Sequence, residues 1–78
     1  MNDTEARALL VEILRTIAPE TDPASLAGEE DIREALDIDS MDFLNFATAL
    51  AARTGREIPE ADYPCFFTMD GAVAWLRG

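Results

Sequence analysis

Histidine and lysine are both missing from this chain of 78 residues, and its six cationic residues are all arginine. A serine nucleophile needs a neighbouring base, normally histidine or lysine, to remove its proton. Serine catalysis within this chain is therefore excluded. Cysteine is nearly absent as well, since Cys65 is the only one. A disulfide framework and a cysteine- and histidine-based zinc site are excluded, and we expect Cys65 to be a reduced, inert thiol.

Patterns for other metal and phosphate chemistry are also lacking. The run that contains Asp37 and Asp39 fails as a calcium loop, because Asp42 stands at the sixth position where glycine is required and Thr48 at the twelfth where glutamate is required. Glycine-rich phosphate loops are absent. The chain is too short for the cleft in which paired carboxylates hydrolyse sugars. We predict no metal site and no enzyme activity.

Positive charge is scarce and negative charge abundant, with a formal net charge of -10. Nine acidic residues lie between Glu20 and Asp42, against Arg33 alone. Such a surface repels a phosphate backbone, so nucleic acid is not an expected partner. Basic patches on partner proteins would suit this acidity, although acidity that only keeps a small protein soluble explains the composition equally well.

Long apolar runs are missing, and Asp3 and Glu5 stand where a secretory signal would carry basic residues. We expect a cytoplasmic monomer without a membrane span. The length suits one small domain over residues 1–78, and a hydrophobic fraction of 49% suits an ordered globule.

Helical periodicity predicts an all-α fold, a small bundle of three main helices plus short helical segments. The first helix is predicted from Thr4 to Ile17, with a capping pair formed by Asn2 and Glu5. The second is predicted to begin at Ser40 and end near Thr54, where Gly55 supplies a left-handed residue. Thr68 is predicted to cap the last helix.

The connections carry weaker signals. Asp31 to Leu36 is predicted to form a turn or a short helix. Its inward-facing residues are predicted to be Ile32, Ala35 and Leu36. Glu60 to Tyr63 is predicted to form at most one helical turn, because Pro64 should stop it. Phe66 and Phe67 are predicted to fill the core.

The second helix has two unlike faces. At about 100° per residue, the core face consists of Phe43, Phe46, Ala47 and Leu50. The opposite face is uncharged and partly apolar, and it consists of Met41, Leu44, Asn45, Thr48 and Ala52. An exposed face of this kind suits contact with a partner, and it begins beside Ser40.

Ser40 opens this helix, and two roles are open for it. Serine is among the best residues for capping a helix N-terminus, so it needs no further function there. Its surroundings favour an exposed attachment point, since aspartates flank it and a long acidic connection precedes it.

The tetrapeptide Asp39-Ser40-Met41-Asp42 resembles the Asp-Ser-Leu/Met-Asp signature of acyl carrier proteins. In that family the serine receives a 4'-phosphopantetheine arm from coenzyme A. The lead-in Leu36-Asp37-Ile38 resembles the family's Leu-Gly-hydrophobic segment, with Asp37 where glycine is common. Further matches at the family's spacings are Ala49-Leu50, Glu57-Ile58-Pro59, Thr68 and Ala72-Val73-Ala74-Trp75-Leu76. The resemblance covers most of the chain from Leu36 onward.

The resemblance implies a free-standing carrier whose arm on Ser40 holds acyl groups as thioesters for fatty acid or polyketide biosynthesis. Its expected partners are a phosphopantetheinyl transferase and separate acyl-loading, acyl-modifying and acyl-transfer enzymes. The alternatives are an aminoacyl or peptidyl carrier, a polyketide carrier, or an unmodified helical interaction module in which Ser40 is only a cap.

Two sets of residues follow from this resemblance. Expected docking residues are Asp39, Met41, Asp42, Leu44, Asn45 and Thr48. Residues expected to line an acyl pocket or pack as core are Phe46, Leu50, Ile58, Phe66 and Ala72. Large aromatic side chains leave little room, so we expect weak sequestration of long acyl chains. Many family members carry glutamates on the second helix where this chain has Asn45, Ala51 and Ala52, so docking is expected to depend more on apolar contact and less on charge.

Overall fold

The computed structural model describes residues 1–78 and contains four α-helices. They are α1 (Asp3–Ile17), α2 (Ile32–Ala35), α3 (Ser40–Thr54) and α4 (Met69–Arg77). Two 3₁₀ segments, Pro23–Ser25 and Glu60–Phe67, lie in the connections. The predicted all-α fold of three long helices with short helical segments is confirmed.

Local capping chemistry determines where the long helices begin and end. The Asn2 side chain accepts the Glu5 N–H at 2.8 Å, and the Glu5 carboxylate accepts the Asn2 N–H at 3.1 Å, so the predicted capping pair is confirmed. Gly55 ends α3 with φ of 69°, as predicted for a left-handed residue. The Thr68 hydroxyl accepts the Gly71 N–H at 3.0 Å and caps α4.

The core comprises 18 buried apolar residues drawn from all four helices and their connections. Helix α1 packs against α3 and α4, and the Glu60–Phe67 segment packs against α4 and α2. Phe46 of α3 and Phe66 of that segment are fully buried and meet edge to face, with ring centroids 6.5 Å apart. The four residues predicted for the core face of α3 are all buried. No helix is both long and apolar enough to span a bilayer.

Two predictions about the connections are wrong. Pro64 does not stop the segment that begins at Glu60, which continues in 3₁₀ form to Phe67. A proline removes a single N–H donor and its φ of about -65° suits 3₁₀ turns, so these turns continue past a residue that would break an α-helix. Ala35 is exposed, whereas Ile32 and Leu36 are buried. Helix α2 is only four residues long, and its buried contacts are Ile32 within the helix and Leu36 at the C-cap.

Candidate functional site

Ser40 is the first residue of α3 but is not its cap. The cap is Asp39, whose carboxylate accepts the Asp42 N–H at 2.8 Å. The Ser40 side chain is exposed, and its hydroxyl makes no hydrogen bond to the protein. The interpretation of Ser40 as a mere helix cap is therefore contradicted, because Asp39 already satisfies the N–H that such a cap would bind.

The segment before Ser40 is held firmly on the core. Leu36 and Ile38 are both buried, and Asp37 between them adopts a positive φ of 53°. The Ile38 N–H donates to the Arg33 carbonyl at 3.0 Å, which closes the turn between α2 and α3. Glycine favours positive φ because it lacks a Cβ, which explains physically why a glycine would suit position 37. Ser40 is thus presented on a well-anchored junction.

A surface groove of about 390 Å³ lies beside Ser40, between α3 and the Glu60–Phe67 segment. Its apolar lining consists of Met41, Phe43, Leu44, Tyr63 and Phe67. Phe43 lies at the centre of an edge-to-face cluster, with its ring centroid 5.8 Å from that of Tyr63 and 5.3 Å from that of Phe67. Phe67 was predicted to fill the core, but it is only half-buried and faces this groove.

Charged side chains of Arg33 and Glu60 also line the groove. The Arg33 guanidinium lies over the Phe67 ring, with its Cζ 3.6 Å from the centroid, and donates to both carboxylate oxygens of Asp31. These side-chain hydrogen bonds lower the pKa of Asp31 and raise that of Arg33. That Arg33, Tyr63 and Glu60 share a groove with Ser40 was not predicted from the sequence. Tyr63 and Glu60 belong to a distant segment of the chain, which only the packing brings to this groove.

Five of the six residues expected to dock a partner are exposed, including Asp39. Met41 keeps 64% and Leu44 43% of its surface accessible, which is unusual for large apolar side chains. Asn45 and Thr48 are also exposed and lie further along the same face of α3, whereas Asp42 is half-buried. The exposed face predicted for α3 is confirmed, and its apolar end lies against Ser40.

The residues expected to line an acyl pocket are all buried in the core. They are Phe46, Leu50, Ile58, Phe66 and Ala72. The structure has two surface grooves, and none of these five side chains lines either of them. Of the two roles left open, plain core packing is the one that the structure displays.

A small all-helical fold with an exposed serine at the N-terminus of a helix is typical of carrier domains. A family model for the phosphopantetheine attachment site matches residues 7–65, which is 59 of the 78 residues. The chain belongs to this family. A search of curated proteins returned no match.

Membership of this family establishes the general role of the protein. It is a non-catalytic carrier whose cofactor is a covalently attached 4'-phosphopantetheine. Its partners include a phosphopantetheinyl transferase and the enzymes that modify its cargo.

Proposed function

We propose that this chain is an acyl carrier protein and that the Ser40 hydroxyl is the attachment point of its 4'-phosphopantetheine arm. The observation that carries the proposal is that Asp39 caps α3, which leaves the hydroxyl of Ser40 exposed and without a hydrogen bond to the protein. Ser40 also lies within the matched residues 7–65. The thiol at the end of the bound arm supplies thioester chemistry, and the protein supplies the anchor.

Electrostatics at the start of α3 favour a covalent link over noncovalent phosphate binding. The N-terminus of a helix favours a nearby anion by about 0.3 to 1 kcal/mol. Asp39 and Asp42 flank Ser40 and oppose a phosphate by a comparable amount, about 0 to 1 kcal/mol for exposed charges. A free phosphate would therefore bind only weakly at this junction. A covalent bond makes that affinity unnecessary.

The docking surface combines an apolar contact with a small number of charges. Met41 and Leu44 supply apolar area next to Ser40, and Asp39 and Asp42 supply charge for basic partners. Salt screens exposed charges but leaves apolar burial largely intact, so docking should depend only mildly on ionic strength.

The test of this docking surface is the Kd for a phosphopantetheinyl transferase, measured across a salt series. Leu44→Ala should weaken binding several-fold, whereas Ser25→Ala, at an exposed position outside α3 and outside the docking residues, should change it little. A Kd that rises steeply with salt and is unaffected by Leu44→Ala would contradict the proposed surface.

Cargo on this carrier should be only weakly sequestered. The five side chains expected to line an internal pocket are fully engaged in the core and border neither groove. Loading an octanoyl chain should therefore leave the NMR chemical shifts of Phe46 and Leu50 unchanged. Broad changes across these core signals would show that the helices part to admit the chain.

Mass spectrometry tests the attachment site. The protein is incubated with coenzyme A and a broad-specificity phosphopantetheinyl transferase, and the intact mass should rise by one arm. The chain has only two serines, Ser25 and Ser40, which provides a matched control. Ser40→Ala should abolish the mass gain and Ser25→Ala should preserve it. No gain with several transferases would favour an unmodified interaction module, and preferential loading with aminoacyl groups would favour a peptidyl carrier.

A further inference from the structure

Arg33 is the only cation that lines the groove beside Ser40, and its side chain is held in place. Its Nε and Nη2 donate to the Asp31 carboxylate at 3.2 and 2.9 Å, and its guanidinium is stacked on Phe67. The Nη1 edge donates to no protein acceptor, and 41% of the side-chain surface remains exposed. A pre-ordered guanidinium with an unused edge loses little further conformational entropy when it binds an anion.

The backbone places this guanidinium and the Ser40 hydroxyl on one groove. The Arg33 carbonyl accepts the Ile38 N–H at 3.0 Å, so the residue is tied to the turn that leads into α3. A phosphodiester on Ser40 carries its negative charge next to the serine oxygen. Arginine suits such a group because its planar fork of donors matches phosphate oxygens.

We infer that Arg33 is a positioning residue for the arm, and that its free guanidinium edge binds the phosphodiester on Ser40. This inference rests on the proposed attachment at Ser40. Asp39 and Asp42 both repel the phosphodiester, and Arg33 supplies positive charge that offsets this repulsion. It is the only arginine between Arg15 and Arg53. Arg33 thereby favours arm conformations in which the phosphodiester end of the arm lies toward the groove.

The strength of this contact is that of an exposed ion pair. Such pairs favour the paired arrangement by factors of roughly 1.4 to 5, so the phosphodiester should contact the side chain at position 33 more often in wild type than in Arg33→Gln by a factor of that size. Added salt should reduce this population, because charges exposed to water are screened within about 10 Å at 0.1 M.

The test is ³¹P NMR of the arm-loaded protein at low salt. Arg33→Gln should shift and narrow the ³¹P resonance, because the phosphodiester loses its fixed partner. Arg53→Gln is the matched control, since it removes an exposed, ion-paired arginine at the other end of α3 and should leave the resonance unchanged. Sodium chloride should move the wild-type resonance toward that of Arg33→Gln and should leave the variant's own resonance nearly in place.

The outcomes separate this inference from the proposed function. If Arg33→Gln folds, carries the arm and still shows the wild-type ³¹P resonance, the role of Arg33 is overturned while the attachment at Ser40 stands. A chain that gains no mass overturns both. If Arg33→Gln loses its helical circular dichroism, the wild-type protein decides. The Arg33 Nη resonances must differ between unloaded and loaded protein, and unchanged Nη resonances overturn the inference.

Discussion

Replacing Asp39 and Ser40 separately by alanine distinguishes a helix cap from an attachment point. The Asp39 carboxylate accepts the Asp42 N–H at 2.8 Å, and its removal leaves that donor without a protein partner. Loss of an N-cap costs about 1 kcal/mol, with a range of about 0.5 to 2 kcal/mol. The Ser40 hydroxyl has no protein partner, and alanine is a better helix former, so Ser40→Ala should stay within about 0.5 kcal/mol of wild type.

Urea and thermal unfolding followed by circular dichroism measure both changes in the unmodified protein. A loss of 1 kcal/mol corresponds to a fall in Tm of about 4 to 8 °C for a domain of this size. Asp39→Asn is the control for charge, because its amide oxygen still accepts the Asp42 N–H while the carboxylate charge is gone. It should retain most of the wild-type stability.

One result would refute this reasoning. If Ser40→Ala destabilised the fold as much as Asp39→Ala, the Ser40 hydroxyl would have a structural partner. Ser40 would then not be free for modification.

Three further predictions concern strain, packing and charge. Asp37→Gly should be more stable to urea than Asp37→Ala by about 1 kcal/mol, because glycine adopts the positive φ at this position without a steric cost; equal stabilities would contradict this. Phe46→Ala should lower the free energy of unfolding by about 3 to 5 kcal/mol, while Leu44→Ala should change it by less than about 0.5 kcal/mol, because only Phe46 is fully buried. The pKa of Glu12 is lowered, chiefly by the side-chain hydrogen bond from Arg53, so their pair stabilises the fold above the ordinary Glu value of 4.5 and less as the pH falls through the lowered pKa. A double-mutant cycle with Glu12→Gln and Arg53→Gln should show coupling at neutral pH that disappears in acid, and pH-independent coupling would argue against this ion pair.

Much of the fold was predictable because its determinants are local. The pair Asn2 and Glu5, the terminal Gly55 and the cap Thr68 act on backbone groups within a few residues, so a short stretch of sequence specifies them. The two faces of α3 follow in the same way from helical periodicity. Local rules failed where two local solutions compete, as at Pro64, whose ring is compatible with a 3₁₀ turn but not with the interior of an α-helix.

The candidate site was also predictable only where its determinants are close together in the sequence. The motif around Ser40 is contiguous, so the sequence alone identified the junction and the exposed apolar residues Met41 and Leu44 beside it. Whether Ser40 or Asp39 caps α3 depended on backbone dihedral angles at the junction, which sequence preferences for capping do not resolve because both residue types cap well.

The sequence by itself determined the three long helices, their buried faces and a serine at the entrance to α3, because short-range hydrogen bonds and helical periodicity are written in neighbouring residues. Only the tertiary structure decided that Phe67 packs at the edge of the core and lines a groove, that Arg33 stacks upon it, and that both share this groove with Ser40. These contacts depend on how whole segments of the chain pack together, which the residues near each position do not specify.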